Sequence, residues 1–278
     1  MRTFALTSAA LVGFAANSLL TRAALGTGSL DPATFTLVRL VAGAVTLAVL
    51  VRLRNRPVTD YGSWVSAIAL GVYIVPFTLA YGRISASVGA LVLFGAVQVT
   101  MIGAGLIRGE RPARVDWLGV LLALGGLLVL TIPGVTAPDP TGMALMATAG
   151  VCWGVYSLVG REAPDPLAAT AGNFVRATVA GVLFAAVSGP SRHITSHGLL
   201  LAAASGSLAS GVAYTLWYAA LPALAAWRAA VVQLIVPVLT AISAALLLSE
   251  AITSRLVLAT ALVLLGVLLT IVPRWHQS

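Results

Sequence analysis

Apolar residues run through this chain in long blocks, broken only by short polar or proline-rich stretches. Ten blocks of about 20 residues stand out: 3–24, 33–53, 63–82, 84–107, 115–133, 141–162, 167–188, 196–219, 222–249 and 254–273. About 20 mostly apolar residues suffice to cross a bilayer as a helix, so the pattern predicts ten transmembrane helices joined by short loops. Turn signals mark the divisions. Asp31-Pro32 opens the second block, Arg52 to Pro57 closes it, Arg108 to Pro112 follows the fourth, and Pro133 to Pro140 divides the chain near its middle. The first twenty residues have the Arg-then-apolar layout of a secretory leader. The apolar run nevertheless continues to Ala24 and its pattern recurs later, so it reads as a first span.

That recurrence is an ordered internal repeat. Ser18-Leu19 and Arg22 return as Ser157-Leu158 and Arg161, Asp31-Pro32 as Asp165-Pro166, and Arg39 as Arg176. Phe77 and Tyr81 match Tyr214 and Tyr218, Glu110 matches Glu250, and Gly126 and Pro133 match Gly266 and Pro273. The expected units are residues 1–134 and 135–278. Five spans is an odd number, so two such halves must lie in opposite orientations, an arrangement that secondary transporters use to build two gates around one midplane site.

Composition agrees and narrows the options. Of 278 residues 59% are hydrophobic and only 9% charged, against about 25% charged in a soluble domain. The net charge of +8 comes entirely from arginine. These arginines are scattered singly between apolar blocks, which excludes a nucleic-acid surface, and their distribution sets orientation. With the amino terminus inside, Arg2, Arg52, Arg54, Arg56, Arg108, Arg111, Arg114, Arg161 and Arg274 are cytoplasmic, whereas Arg22, Arg83, Arg192 and Arg255 are external. Both termini are therefore expected in the cytoplasm. The one cysteine, Cys152, offers no disulfide or metal site, and no cofactor is expected.

All eight carboxylates, and His193, His197 and His276, fall in loops or at span ends. Arginine stays protonated, so no proton carrier is expected at mid-membrane, where pumps keep one. Glu110 and Glu250 read as solvated span ends, one helical turn from a cavity rim. No nucleophile, acid–base pair or metal cluster is present to support a membrane enzyme, and a mere scaffold would make no use of the repeat.

The candidate chemistry is aromatic and amide. Tyr73, Phe77 and Tyr81 share one helical face, and Tyr214 and Tyr218 repeat it with Trp217 alongside. Trp153 and Tyr156 sit in the sixth span where Phe14, Asn17 and Thr21 sit in the first. Gln98, Asn173 and Gln233 are further mid-span amides, suited to tying helices together or binding cargo. Arg39 and Arg176 read as structural, pinning helix ends. Arg228, beside Trp227 and a turn and more before Gln233, is the candidate for a cargo carboxylate, which an arginine fork matches bidentately. Pro76 and Pro237 are hinge or gate candidates, because each leaves a backbone carbonyl without its helical donor. Gly105-xxx-Gly109 and Gly150-xxx-Gly154 permit close helix contact, though such pairs are expected by chance among 27 glycines.

Ten short spans in two repeats, Arg39 and Arg176 early in the second span of each, Gly109-Glu110 and Ser249-Glu250 closing the fourth, and Pro237 in the ninth together resemble the drug/metabolite transporter superfamily, EamA-type branch. The chain is most similar to bacterial exporters of aromatic and neutral amino acids and paraquat-like cations. The resemblance implies a multi-pass inner-membrane exporter with a cavity lined by spans 1, 3, 4, 6, 8 and 9, taking a small-molecule cargo such as an amino acid, as a monomer or homodimer among membrane lipid. A multidrug carrier, proton-coupled or not, is the alternative. A nucleotide-sugar carrier would need several cationic groups for its phosphates. One departure from the pattern is Val97, which stands in the first repeat where Pro237 stands in the second, so the two gates are expected to differ.

Overall fold

The computed structural model describes residues 1–56, 61–131, 139–189, 193–248 and 254–271. Asp60, Pro133, Arg192, Glu250, Pro273, Arg274, Trp275 and His276 lie outside the described residues. The helices are α1 (Arg2–Gly26), α2 (Pro32–Arg52), α3 (Trp64–Tyr81), α4 (Ala86–Ile107), α5 (Arg114–Thr131), α6 (Pro140–Gly160), α7 (Pro166–Ser188), α8 (Ser196–Ala223), α9 (Ala226–Leu247) and α10 (Ser254–Ile271). Among the described residues eight of them, all but α5 and α10, are long and apolar enough to cross a membrane. The one extended pairing among these residues is an isolated bridge between Leu30 and Ile194.

The helix starts follow from local chemistry. Asp31, Asp139 and Asp165 each accept backbone N–H bonds from the turn that follows, with a proline at the first helical position. A carboxylate there satisfies donors that the helix leaves unpaired, and proline lacks the N–H that would have been orphaned anyway. Ser63, Ser85 and Thr195 cap α3, α4 and α8 through their hydroxyls.

The halves are related by exchanging each helix with the one five places on. α2 packs on α7, α4 on α9 and α5 on α10, so these pairs map onto themselves. The contacts of α6 with α3 and α4 are answered by those of α1 with α8 and α9, and α3 on α7 by α8 on α2. Exposed apolar side chains such as Val45, Ile68, Leu183 and Leu246 cover the outside, as a lipid-facing surface requires. We call the end where α1 begins proximal and the end where it finishes distal.

Without a hydrophobic drive between helices in lipid, close packing falls to small residues. Gly150 and Gly154 do hold such a contact: side chains there would strike the Leu93 carbonyl, Ala96 and Thr100 of α4. Gly206 lies against the Arg39 carbonyl and Gly266 against the Gly119 carbonyl.

Two spans are not uniform helices, and neither departure was foreseen in full. Within α8, Ser205–Val212 winds as a π-helix. α9 is broken at Leu234, between the helical segments Ala226–Gln233 and Ile235–Leu247. The break falls where Pro237 removes the donor for the Gln233 carbonyl. α4, with Val97 in the equivalent place, runs unbroken, and α3 stays helical through Pro76.

Glycine replacements should separate packing from propensity. Gly206→Leu is expected to lower the midpoint of thermal denaturation, losing about 1–3 kcal/mol or more through overpacking. Gly95→Ala, which opens onto free space, is expected to be neutral or to gain about 0.5–1 kcal/mol from the helix-backbone term. Fluorescence-monitored melting of the purified variants measures both.

Candidate functional site

At the centre of the bundle the aromatic residues of both halves meet. Trp153 lies 4.5 Å from Tyr214, 5.0 Å from Phe14 and 5.3 Å from Tyr73, centroid to centroid. Phe14 also meets Tyr214 and Trp217 edge-on. Around a small cavity stand Phe14, Asn17 and Ser18 of α1, Tyr73 and Phe77 of α3, Leu93 and Phe94 of α4, Trp153 of α6 and Tyr214 of α8. Its free space, about 10 Å³, suffices for about one water molecule.

Each end of this core is closed by a tyrosine. Distally, the Tyr81 ring stacks edge-on against Phe77 at 4.8 Å and covers Gly89 of α4, where a side chain would collide with it. Arg22 donates to the Tyr81 carbonyl at 2.9 Å. Proximally, Tyr218 lies 4.8 Å from Tyr156, donates to its carbonyl at 3.1 Å and fills the space beside Gly160. Below Tyr218 a cleft of about 210 Å³ opens between Ser66, Glu162, Ala169 and Asn173.

The amides divide by role. Asn17 Nδ2 donates to the Tyr73 hydroxyl at 3.4 Å, and its Oδ1 accepts from Ser205 at 2.6 Å, so it belongs to the central cluster. Gln98 donates to the Ala230 carbonyl at 2.6 Å and ties α4 to α9. Gln233 accepts from the Trp153 indole at 2.7 Å and donates to Met101 Sδ and the Ala229 carbonyl, linking α6, α9 and α4. Asn173 accepts from the Ser63 amide at 2.9 Å beside Gly62, whose φ of +83° and lack of a side chain admit the contact. Trp217 donates to Ser157 at 3.0 Å.

Two of the three span arginines, Arg228 and Arg39, sit differently from the sequence expectation. Arg228, read as the cargo partner, does not line the central cavity; it sits in the first turn of α9, half-buried, its guanidinium 5.3 Å from the centroid of Trp227. Arg176 pins α7 by donating to the carbonyls of Tyr61 and Gly172. Arg39 is entirely buried, and its partners are side chains of the core, not helix ends. Nε donates to Ser210 at 3.1 Å, and Nη2 donates to the hydroxyls of Tyr214 at 2.9 Å and Tyr73 at 3.4 Å. Its Cζ lies 5.0 Å from the centroid of Phe77.

Ser205 and Ser210 were missed by sequence reasoning. Five residues apart on an α-helix they would point about 140° apart, so nothing in the spacing joins them. The wider π turn, with its i→i+5 pattern, brings both to the core, where one meets Asn17 and the other Arg39. The available signal was the run of small residues Ser205-Gly-Ser-Leu-Ala-Ser-Gly211, which a bilayer helix does not need.

Glu110 is no solvated span end. Its carboxylate accepts from the amides of Ala226 at 2.9 Å and Trp227 at 3.2 Å, capping α9, and pairs with Arg161 at 3.4 Å. One side chain thereby fastens α4, α6 and α9 at the proximal end, and at one-fifth exposure it is shielded from much of the screening that weakens surface pairs. In a Cys152→Ser background, Glu110→Gln is expected to raise maleimide labelling of Ser66→Cys about tenfold, the weight of one charge-assisted bond. Unchanged labelling would mean that the carboxylate fastens nothing that opens.

Comparison with known proteins agrees with this architecture. The sequence profile of the EamA-like transporter family matches residues 2–132 and again residues 140–272. A curated relative, the uncharacterized protein PA1977 of Pseudomonas aeruginosa, is 51% identical over 279 residues, covering 100% of this chain and 97% of that one. A solved structure, titled only as the crystal structure of a protein, superposes with a TM-score of 0.76 at 22% identity, over 95% of this chain and 98% of the other, and so shares its fold. Twice matched along nearly its whole length, with its halves exchanged helix for helix, the chain belongs to the EamA-like transporter family, a family of multi-pass membrane transporters.

Proposed function

We propose that this protein exports apolar and aromatic amino acids, or closely related small metabolites, from a bacterial cytoplasm by alternating access around the central aromatic core. The observation that carries the reading is the collapsed cavity between Phe14, Tyr73, Trp153 and Tyr214, built from both halves and closed at either end by Tyr81 and Tyr218. In this reading the ten helices all span the inner membrane with both termini in the cytoplasm. The proximal tyrosine and the Glu110 fastening release to admit cargo, the core closes on it, and Tyr81 yields on the far side. The break in α9 and the π turn in α8 supply unequal compliance to the two movements.

Aromatic walls favour a flat apolar side chain and exclude water from it. They also suit a lipophilic cation, but a cation here would lie beside the buried Arg39 guanidinium, which disfavours that cargo. Among the described residues no carboxylate, histidine or lysine is part of the central cluster, which supports a carrier that moves cargo down its own gradient.

Reconstituted in liposomes, the protein is expected to take up radiolabelled neutral amino acids at a rate independent of an imposed pH gradient. Tyr214→Ala and Trp153→Ala are expected to cut the initial rate by about tenfold or more, as loss of a cavity wall should. Uptake seen only with a pH gradient would overturn the uncoupled mechanism. Failure with every amino acid would overturn the cargo class.

A further inference from the structure

Arg39 is the feature that helix packing does not explain. It has no exposed surface, and among the described residues no carboxylate reaches it; the charged side chain of α1 nearest the core, Arg22, is itself a cation, and α3, α8 and the facing part of α7 bring only neutral groups. Its bonds go to the neutral oxygens of Ser210, Tyr73 and Tyr214. Nη1 is buried with no hydrogen-bond partner. The surrounding cluster is rich in donors: the Tyr73 hydroxyl accepts from Arg39, from Asn17 and from Tyr214, whose hydroxyl lies 3.1 Å away. A buried cation without a counter-charge carries a desolvation penalty, and an unused guanidinium edge in a low-dielectric site attracts an anion strongly. A structural pin would be served by carbonyl acceptors, as Arg176 is.

From this geometry we infer that Arg39, with the hydroxyls of Tyr73 and Tyr214, is the docking site for an anionic group, a carboxylate, on the cargo. This rests on the proposed transport function and names the chemistry by which its site recognises cargo. Arg39 stands behind the cavity wall: Tyr73 and Tyr214 line the cavity, and their hydroxyls bond Arg39 and each other. The apolar part of the cargo therefore lies among Phe14, Trp153 and Phe77, while its carboxylate takes the place of the hydroxyl–hydroxyl bond and reaches the guanidinium. Both hydroxyls accept from Arg39; turned toward the cargo, they would donate to the carboxylate. Planar two-point recognition of this kind is what arginine provides and lysine does not.

The test is equilibrium binding to the purified protein in detergent, followed by intrinsic tryptophan fluorescence, with L-phenylalanine, L-phenylalaninamide, 3-phenylpropionate and 3-phenylpropionamide. Both acids should bind about tenfold or more tightly than their amides, the scale of a charge-assisted fork. Arg39→Gln should erase that preference and Arg39→Lys should restore it only in part. Should the Arg39 variants fail to fold, Tyr73→Phe and Tyr214→Phe keep the rings in place and should each narrow the acid-to-amide ratio severalfold. Amides binding as well as acids, or no binding by either acid, would overturn the anion site. Binding of 3-phenylpropionate with its Arg39 dependence intact, but not of phenylalanine, would leave the anion site standing and overturn the amino-acid reading.

Discussion

The buried guanidinium of Arg39 holds the middle of this bundle. Arg39 reaches from α2 of the first half to Ser210 and Tyr214 of the second and to Tyr73 of its own half. For it to do so, the α2 backbone must touch the π segment of α8, and Gly206 makes that approach possible at the Arg39 carbonyl. The same π segment turns Ser205 and Ser210 to one side, and Ser205 then fixes Asn17. Charge, glycine contact and helix irregularity form one unit, because a guanidinium placed at this depth forces every neighbour to supply a polar atom or a ring face.

From that unit the rest of the site follows by stacking. Phe77 lies under the guanidinium, Tyr81 stacks on Phe77, and Trp153 bridges Tyr73, Tyr214 and Phe14. The indole of Trp153 is in turn oriented by Gln233, one residue before the break in α9. The cavity wall is therefore coupled to the span that is least continuous. A movement at Leu234 would shift Gln233, and with it Trp153 and the contact with Met101 of α4.

The two spans that match each other across the repeat, α4 and α9, are unequal: α9 is broken at Leu234, whereas α4 runs unbroken through Val97. Among the described residues, Glu110 proximally caps α9 and pairs with Arg161, and distally Arg22 holds the Tyr81 carbonyl while a surface pair joins Arg83 to Asp139; Glu250, the repeat mate of Glu110, lies outside the described residues. Charge-assisted bonds to backbone amides in a half-buried setting outlast an exposed ion pair. The asymmetry of α4 and α9 begins in the sequence, with Pro237 in one repeat and Val97 in the other, and ends as a break in one span only.

The sequence alone determined the helices, their approximate limits, the two halves and the faces carrying the aromatic residues, since apolar block length, Asp-Pro starts and i, i+4 spacing are local and repeat in one dimension. It also placed Asn17, Tyr73, Trp153 and Tyr214, polar-bearing residues deep in apolar runs, and Phe77, one helical turn from Tyr73, in a common set of candidates, together with Gln98, Arg228 and Gln233, which do not line the central cavity. Only the tertiary structure decided which arginine lies in the core. Arg39 and Arg228 both stand about six residues inside a sequence-read span, and the difference between them is set by what packs across from each: Tyr73, Phe77 and the π segment for one, Trp227 at a helix start for the other. Ser205, Ser210 and the bonds of Glu110 were hidden for the same reason. Their partners lie on other helices, from 51 to 188 residues away in the chain, and a helix's face can be read from its sequence while the group that meets it cannot.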